Sequence, residues 1–428
     1  MKHTDRGYDG DISTVLHGAD VSAEDDTEVP REARLLLDAQ GKLIFIGDTA
    51  PLSLFQSIRQ IVTTRVESNA FAPESSRYSV LEVAPSQQAR RLPGDIPPEI
   101  RLADVAPAVK RYIATTMGMV DLFDNSKLLE DIQLWASLGR KPPDSTTVLN
   151  YLVLAIGERT SDDRAAQVFF EYARERALES LSNSLSVVTV QAFVLITIYM
   201  LCSCQINGAF LYFGIAARAA YSVGLHRAEV NSRFGAVINR QRDRLWKTLR
   251  VVDLYLSTSM GRPAATSDVD CTVQYRAIGD DGVEAFDLLN ASVQLQLVTE
   301  RIALEVYSRR KISLQLTEGI SFQLREWSSR WLQGLKDATA DTHNNSIASG
   351  ACQSLAAYYY AVMLVSRPFL MYELCRNLDS PGATSKATMA SGKSKLADAC
   401  IHSASLMVDS VQDLVNRNAF DGRMPILV

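Results

Sequence analysis

The middle of this 428-residue chain holds two apolar helical segments joined by a short polar linker, between Asn207 and Val273. Apolar residues recur three or four positions apart in the second segment, at Leu245, Leu249, Val252, Leu256 and Met260. This spacing predicts a half-buried amphipathic helix. Gly261 and Pro263 follow the last of these residues and predict that the helix ends at about Met260.

The first segment, residues 207–225, has little polar surface on any side and is expected to be buried nearly all round. Arg218 is its single charge between the apolar residues. A buried guanidinium needs a carboxylate or several carbonyls as partners. Asp253 is the first candidate partner, followed by Asp268 and Asp270. The alternative is that Arg218 extends to solvent at the edge of the helix. In both cases its role is structural.

Charge along the chain argues against a nucleic-acid surface in its body. The net charge is −5, and residues 1–30 alone carry eight acidic residues against Lys2 and Arg6. The remainder is therefore close to neutral, whereas phosphate-binding proteins usually carry a basic patch. A basic group lies in the second segment, at Arg240, Arg242, Arg244, Lys247 and Arg250. We interpret it as the solvated face of a helix.

The sequence shows no metal or catalytic motif. Its six cysteines lack the paired C-x2-C spacing of a zinc module. Nucleotide-binding glycine loops, the serine hydrolase elbow and the H-E-x-x-H motif do not occur. His226 closes a helix, where its charge would favour the dipole, so we expect a structural role for it. The chain is therefore not expected to be an enzyme.

Hydropathy raises one membrane question. Residues 186–204 contain no charge and approach the length of a bilayer span. No cluster of Lys and Arg flanks them, and polar residues such as Gln191 dilute the segment. We interpret residues 186–204 and 207–225 as a buried helical hairpin and expect no membrane association.

The order of elements predicts an all-α fold of stacked helical hairpins around one large core, with a small N-terminal β-hairpin. Residues 1–30 are expected to be a disordered acidic tail. Residues 31–66 form the hairpin and a helix capped by Asp48 or Thr49, 67–100 a linker, and 101–428 an all-helical body. Further helices are expected at about 101–119, 126–138, 145–158, 162–182, 283–310, 314–337, 347–377 and 393–417.

The central segments resemble the middle homology region, or fungal-specific transcription factor domain, of the zinc binuclear cluster regulators. The likeness is strongest from Leu149 to Val273 and is carried by Gly224, Leu225, His226, Arg227, Arg242, Arg244, Leu245, Trp246, Gly261, Arg262, Pro263, Asp268 and Asp270. The resemblance implies a nuclear, pathway-specific regulator of RNA polymerase II genes, for metabolism or secondary metabolites. Transcription machinery or co-regulators would be its partners, and a small-molecule effector and a homodimer stay open.

The family's zinc cluster needs six cysteines in two C-x2-C-x6-C groups, and no cysteine precedes Cys202. DNA binding and zinc are therefore expected only in a missing upstream module, or DNA contact through a partner. The alternative function is a helical small-molecule sensor or co-regulator without direct DNA contact, its pocket between the 186–204 and 207–225 helices. Arg262 is expected to pair with Asp268 or Asp270 and to control conformation, unless the turn only packs the core.

Overall fold

The structure is a computed structural model that describes residues 27–37, 43–67, 96–181, 185–277, 284–379 and 392–417. The expected disorder before residue 27 and most of the expected 67–100 linker lie outside these residues. Four short strands are described: β1 Thr27–Glu28, β2 Arg34–Leu37, β3 Leu43–Ile46 and β4 Lys311–Ile312. The described helices are α1 Pro51–Arg65, α2 Leu102–Thr116, α3 Asn125–Ser137, α4 Ser145–Glu158, α5 Asp163–Ser180, α6 Val187–Cys202, α7 Ile206–Ser222, α8 Ala228–Asn231, α9 Ala236–Met260, α10 Leu288–Ile302, α11 Leu314–Ala340, α12 Asn345–Asp379 and α13 Gly392–Asn416.

The all-α class with a small N-terminal hairpin is confirmed. Neighbouring helices pack as hairpins, notably α4 with α5, α6 with α7, and α12 with α13. Side-chain caps start several of them: Asp124, Asp144 and Asp162 each accept a bond from a backbone N–H in the first turn. Ser186 forms a reciprocal capping box with Thr189 at the start of α6. These caps satisfy donors that a helix end leaves unpaired.

The N-terminal elements depart from prediction in two respects, an additional strand pair and the cap of α1. β2 pairs antiparallel with β3 as expected, but β1 also pairs with β4, so the hairpin is not the only sheet. The pairing places Thr27 opposite Ile312 and fixes the last residues of the expected tail. Neither Asp48 nor Thr49 caps α1, whose N-cap is Ala50. The Asp48 carboxylate instead accepts the backbone N–H groups of Glu32 and Ala33.

The apolar interior of the described residues contains two principal clusters that share α10. The first gathers side chains from α2 to α9 together with Leu289 and Val293 of α10. The second combines α11 and α12 with Ala291 and Leu295 on another face of α10. Helix α10 therefore connects the two halves of the molecule.

Helix α6 lies deep in the first cluster, and nearly every residue from Thr189 to Cys202 is buried. Its partner α7 was predicted to be buried nearly all round, and this prediction is wrong. Leu211 is 68% exposed and Arg218 is also exposed, because this side of α7 faces solvent. Within the described part of the chain, no helix combines the length and the apolar character that a membrane crossing requires.

Candidate functional site

The basic residues of α9 mostly point inward, contrary to the prediction of a solvated face. Arg250 is 0% exposed. Its guanidinium donates to the backbone and hydroxyl oxygens of Thr266, to Asp268 at 3.0 Å and to Glu300 at 2.7 Å. Burial works to lower the pKa of Arg250, but the carboxylates of Glu300 and Asp268 outweigh it and raise this pKa. Arg250 thus ties α9 to α10 and to the loop that follows α9.

Asp253 holds the same loop from the next turn of α9. Its carboxylate is 1% exposed and accepts the backbone N–H groups of Ala265 and Thr266 at 3.0 and 2.6 Å. Burial raises the pKa of Asp253 although these bonds favour its charged form. Of the two alternatives left open for Arg218, the pair with Asp253 is therefore wrong. The chain reverses after Gly261 and brings its own N–H groups to the carboxylate, while Arg218 extends to solvent.

Nearer the start of α9, two further cations are fixed by distant partners. Arg244 is only partly buried and pairs with Asp121 and, at 2.8 Å, with Asp287. Lys247 is 7% exposed and donates to Asn290 at 2.8 Å. These bonds connect α9 to the start of α10 and to the turn after α2. Of the predicted solvated group, only Arg240 is fully on the surface.

Arg242 closes the polar contacts near the start of α9. It is 5% exposed, donates to Asn231 at 2.7 Å and to the carbonyl of Val223 at 2.6 Å, and lies over the ring of Phe234. Arg242, the first arginine of the Arg-x-Arg sequence, therefore binds the connection between α7 and α9. It is not a phosphate-facing surface.

The Gly-Leu-His-Arg sequence forms a turn after α7 rather than a helix end. Gly224 has φ of 69°, a conformation that glycine adopts readily. Leu225 is fully buried. His226 lies beside the ring of Trp246, with its Nε2 3.6 Å from Asp270. Helix α7 already ends at Ser222, so His226 does not close it as predicted. The neighbours of His226 are aromatic rings and this carboxylate.

Arg227 and Trp246 extend this network to the loop after α9. Arg227 pairs with Asp270 and with Glu229. The indole N–H of Trp246 donates to the hydroxyl of Tyr275 at 3.1 Å, and this hydroxyl donates to Asp268 at 2.6 Å. The loop 264–275 is thus held by several motif residues at once. Their structural role stays a prediction, now with defined partners.

The Gly-Arg-Pro turn contacts the N-terminal hairpin directly. Gly261 ends α9 with φ of 65°, and its carbonyl lies where a side chain on Gly47 would overlap it. The backbone N–H of Gly47 donates to the carbonyl of Met260 at 2.8 Å. Two backbones approach this closely only where both residues lack a Cβ. Exposed Pro263 follows and leads the chain away from the helix.

Arg262 holds the hairpin and not the predicted aspartates. It donates to the carbonyl of Phe45 at 3.0 Å and to Asn207 at 2.7 Å, and it lies 5.0 Å from the ring centroid of Phe210. Asp268 and Asp270 are instead bound to Arg250 and Arg227. The prediction failed because nothing in the local sequence indicates that the hairpin, some 200 residues earlier, returns to this turn.

The N-terminal segment, residues 27–37 and 43–67, has a second anchor that was not predicted from the sequence. Arg367 of α12 is 3% exposed, donates to the carbonyls of Asp48 and Thr49, and lies 4.7 Å from the ring centroid of Tyr307. Tyr360 donates to the carbonyl of Thr49 at 2.9 Å. The available signal was that Arg367 is the one charge in the otherwise apolar stretch 347–372, the same pattern that drew attention to Arg218.

An apolar cavity of about 410 Å³ lies between the N-terminal segment and the helical body. It is lined by Ile44, Ile46, Pro51, Leu52, Phe55, Leu201, Ile206, Asn207, Tyr255, Thr258, Ser259, Met260, Gln296, Ala356, Ala357, Tyr360 and Met407. This cavity does not lie between the 186–204 and 207–225 helices, where a pocket was predicted. Only the junction of these helices, at Leu201, Ile206 and Asn207, contributes to it.

Comparison with known proteins gives the context of this site. The family model described as "Fungal specific transcription factor domain" matches residues 111–329. No solved structure matches the chain. The matched range includes α9, the Gly-Arg-Pro turn and the loop that Arg250 and Asp253 hold.

Curated relatives are also regulators by name. The chain is 24% identical to Filamentous growth regulator 27 of Candida albicans, over 80% of this chain and 46% of that protein. It is 23% identical to Activator of stress genes 1 of Saccharomyces cerevisiae, over 54% of this chain and 27% of the relative. It is 34% identical to the Acetamidase regulatory protein of Aspergillus fumigatus, over 31% and 18%. The chain thus matches less than half the length of each of these three relatives. Because the family model covers just over half of the chain, the protein belongs to the fungal-specific transcription factor domain family.

Proposed function

We propose that this chain is the regulatory region of a nuclear transcription regulator of RNA polymerase II genes, acting on a metabolic or secondary-metabolite pathway. The observation that supports this most is the family match across residues 111–329. Relatives that carry the word regulator or activator in their names support it further. The proposed partners are transcription machinery or co-regulator proteins. Zinc and direct DNA contact are assigned to a separate module or to a partner.

In mechanism, the N-terminal segment is the element that moves. It is held on the body by the contact of Gly47 with Gly261, by Arg262 and by Arg367. A segment fixed by a few discrete contacts can be docked or released, and a ligand or partner that binds one state better shifts the balance. We propose that docking sets whether an activation surface on the body is accessible.

A fusion experiment tests the regulatory role. The full chain is joined to a heterologous DNA-binding domain, and reporter expression is compared with that of the DNA-binding domain alone. We expect the fusion to change expression of the reporter. A fusion that is nuclear and abundant but leaves expression unchanged would contradict the proposal.

Two arginine variants test the docking mechanism in the same assay. Arg262→Ala removes the side chain that binds the hairpin, so we expect altered reporter expression at unchanged protein abundance. Arg218→Ala, on an exposed position of α7, is the matched control and should behave as wild type. If Arg262→Ala changes only abundance, the turn merely packs the core and docking has no regulatory part.

The second candidate function is a helical small-molecule sensor or co-regulator that does not contact DNA directly. The apolar cavity under the N-terminal segment favours it. Thermal-shift screening of pathway metabolites against the purified chain tests it, because a ligand at a hundred times its dissociation constant adds about 2.7 kcal/mol to stability. Neither candidate includes a catalytic step.

A further inference from the structure

The lining of the cavity is uncharged and mostly apolar. None of the residues that line it carries a charge. Its volume of about 410 Å³ is within the range of pockets that hold small organic molecules. Exposed Phe55 and Pro51 border it, so a ligand has a route from solvent between α1 and the body.

One buried polar group in the lining lacks a partner. Gln296 of α10 is 5% exposed, and its side-chain oxygen has no hydrogen-bond partner among the described residues. A buried amide oxygen without a partner is costly, and native structures seldom retain one without reason. The other polar groups of this wall are engaged: Tyr360 donates to Thr49, and Thr258 donates to Leu254. Gln296 is therefore the position where a ligand would gain a hydrogen bond.

We propose that this cavity binds a neutral, largely apolar molecule that carries a single hydroxyl group, with the hydroxyl bonded to the side-chain amide of Gln296. A hydroxyl can donate to the amide oxygen or accept from the amide nitrogen, so it satisfies either orientation of the amide. A carboxylate of the same length is excluded because it would be buried in a cavity whose lining offers no cation to pair with it.

The position of the cavity gives such a ligand a mechanical effect. Ile44, Ile46 and Leu52 form the side contributed by the N-terminal segment, while Tyr255 and Ala357 belong to the helical body. A molecule that contacts both sides binds the docked state and not the released one. By linkage it stabilises docking of the hairpin in proportion to its occupancy. This consequence rests on the proposed regulatory function, whereas binding itself does not.

Matched probes test the ligand class. The purified full chain is titrated with 1-decanol and, separately, with decanoate, and the thermal midpoint is recorded. We expect the midpoint to rise with the concentration of 1-decanol and to stay unchanged with decanoate. Hydrogen exchange of residues 43–55 should slow in the presence of 1-decanol. Equal responses to both probes, or no response to the alcohol, would overturn the proposal.

Variants on one helix test the hydrogen bond. Gln296→Leu removes an unpaired buried amide and is expected to fold. Its dissociation constant for 1-decanol should rise about fivefold to tenfold, the effect of losing one net hydrogen bond. Gln294→Leu is the matched control, because Gln294 bonds to Glu284 and Arg330 outside the cavity and should leave binding unchanged. Wild-type affinity in Gln296→Leu would show that the amide does not bind the hydroxyl.

These outcomes separate the two proposals. The binding assays use neither DNA nor a reporter, so their failure removes the ligand class and leaves the transcriptional role standing. A silent reporter fusion with intact 1-decanol binding would instead reject the transcriptional role and retain the sensor.

Discussion

At the scale of single residues, a buried guanidinium holds the chain around the Gly-Arg-Pro turn. Arg250 has no solvent contact and meets two carboxylates from different elements, Asp268 and Glu300. Such groups contribute little net energy as a pair but are costly to break, because the remaining partners lose their counter-charge while still partly desolvated. The free energy of unfolding lost on substitution of Arg250 therefore measures the cost of leaving these two carboxylates without their partner.

Replacing Arg250 with alanine should lower the free energy of unfolding by about 3 kcal/mol, the lower end for a broken buried pair, because both carboxylates keep some contact with water. Chemical denaturation of wild type and variant measures it. Arg218→Ala is the control and should change this free energy by less than about 0.5 kcal/mol, as surface substitutions do. Equal effects of the two substitutions would contradict the buried network.

Glu32 gives the N-terminal segment a pH dependence. Burial raises the pKa of its carboxyl above the ordinary 4.5, and the nearby charge of Arg367 does not offset this. The fold therefore binds this proton more tightly than the unfolded chain does. The stability that this group contributes is complete below about pH 4.5 and is lost as the pH rises through the folded-state pKa.

Substitution of Glu32 by glutamine removes this titration. Relative to wild type, the thermal midpoint of Glu32→Gln should increase as the pH is raised from about 4.5 to 8. Thermal unfolding of both proteins across this range measures the difference. A difference that shrinks with rising pH would mean that burial is not what governs Glu32.

At the scale of elements, the sequence predicted the bounds of helices well but not which of their charged side chains are buried. Residues 145–158 were predicted as a helix and form α4 with the same bounds, since an apolar run after a capping Asp is a local signal. The burial of Arg242, Lys247 and Arg250 was not predicted. Their partners lie on other elements, and charge alone indicates solvent unless those partners are known.

The contact between two glycine backbones gives the clearest test of an element. Gly261→Ala would place a Cβ against the backbone of Gly47 at a positive φ, so it should cost about 2 kcal/mol or more and speed hydrogen exchange in residues 43–46. Gly319→Ala, inside α11 with open space around it, is the control. It should raise stability by about 0.5–1 kcal/mol. Unchanged exchange in Gly261→Ala would show that the hairpin docks elsewhere.

At the scale of the whole molecule, α10 makes two apolar clusters depend on each other. Trp135 and Trp246 belong to the first cluster, and Trp327 and Trp331 to the second. Because α10 contributes side chains to both, loss of one cluster removes packing that holds α10 in place for the other. We expect the described body to unfold in one transition.

Two double variants test this cooperativity. Trp327→Phe with Trp331→Phe leaves tryptophan fluorescence only in the first cluster, and Trp135→Phe with Trp246→Phe leaves it only in the second. In each variant the denaturant midpoint from fluorescence should coincide with the midpoint from far-UV circular dichroism. Separated midpoints would show that the clusters unfold independently.

The second cluster has a consequence for where this molecule can be divided. The segment shared with the family runs from residue 111, inside α2, to residue 329, inside α11, and it leaves out α12 entirely. Ala351, Leu355 and Phe369 of α12 are buried against the very helices that this segment retains. A fragment cut at the limits of sequence similarity would divide two helices and expose a large hydrophobic surface to solvent. The segment recognised by sequence similarity is thus shorter than the segment that must be present for a stable fold.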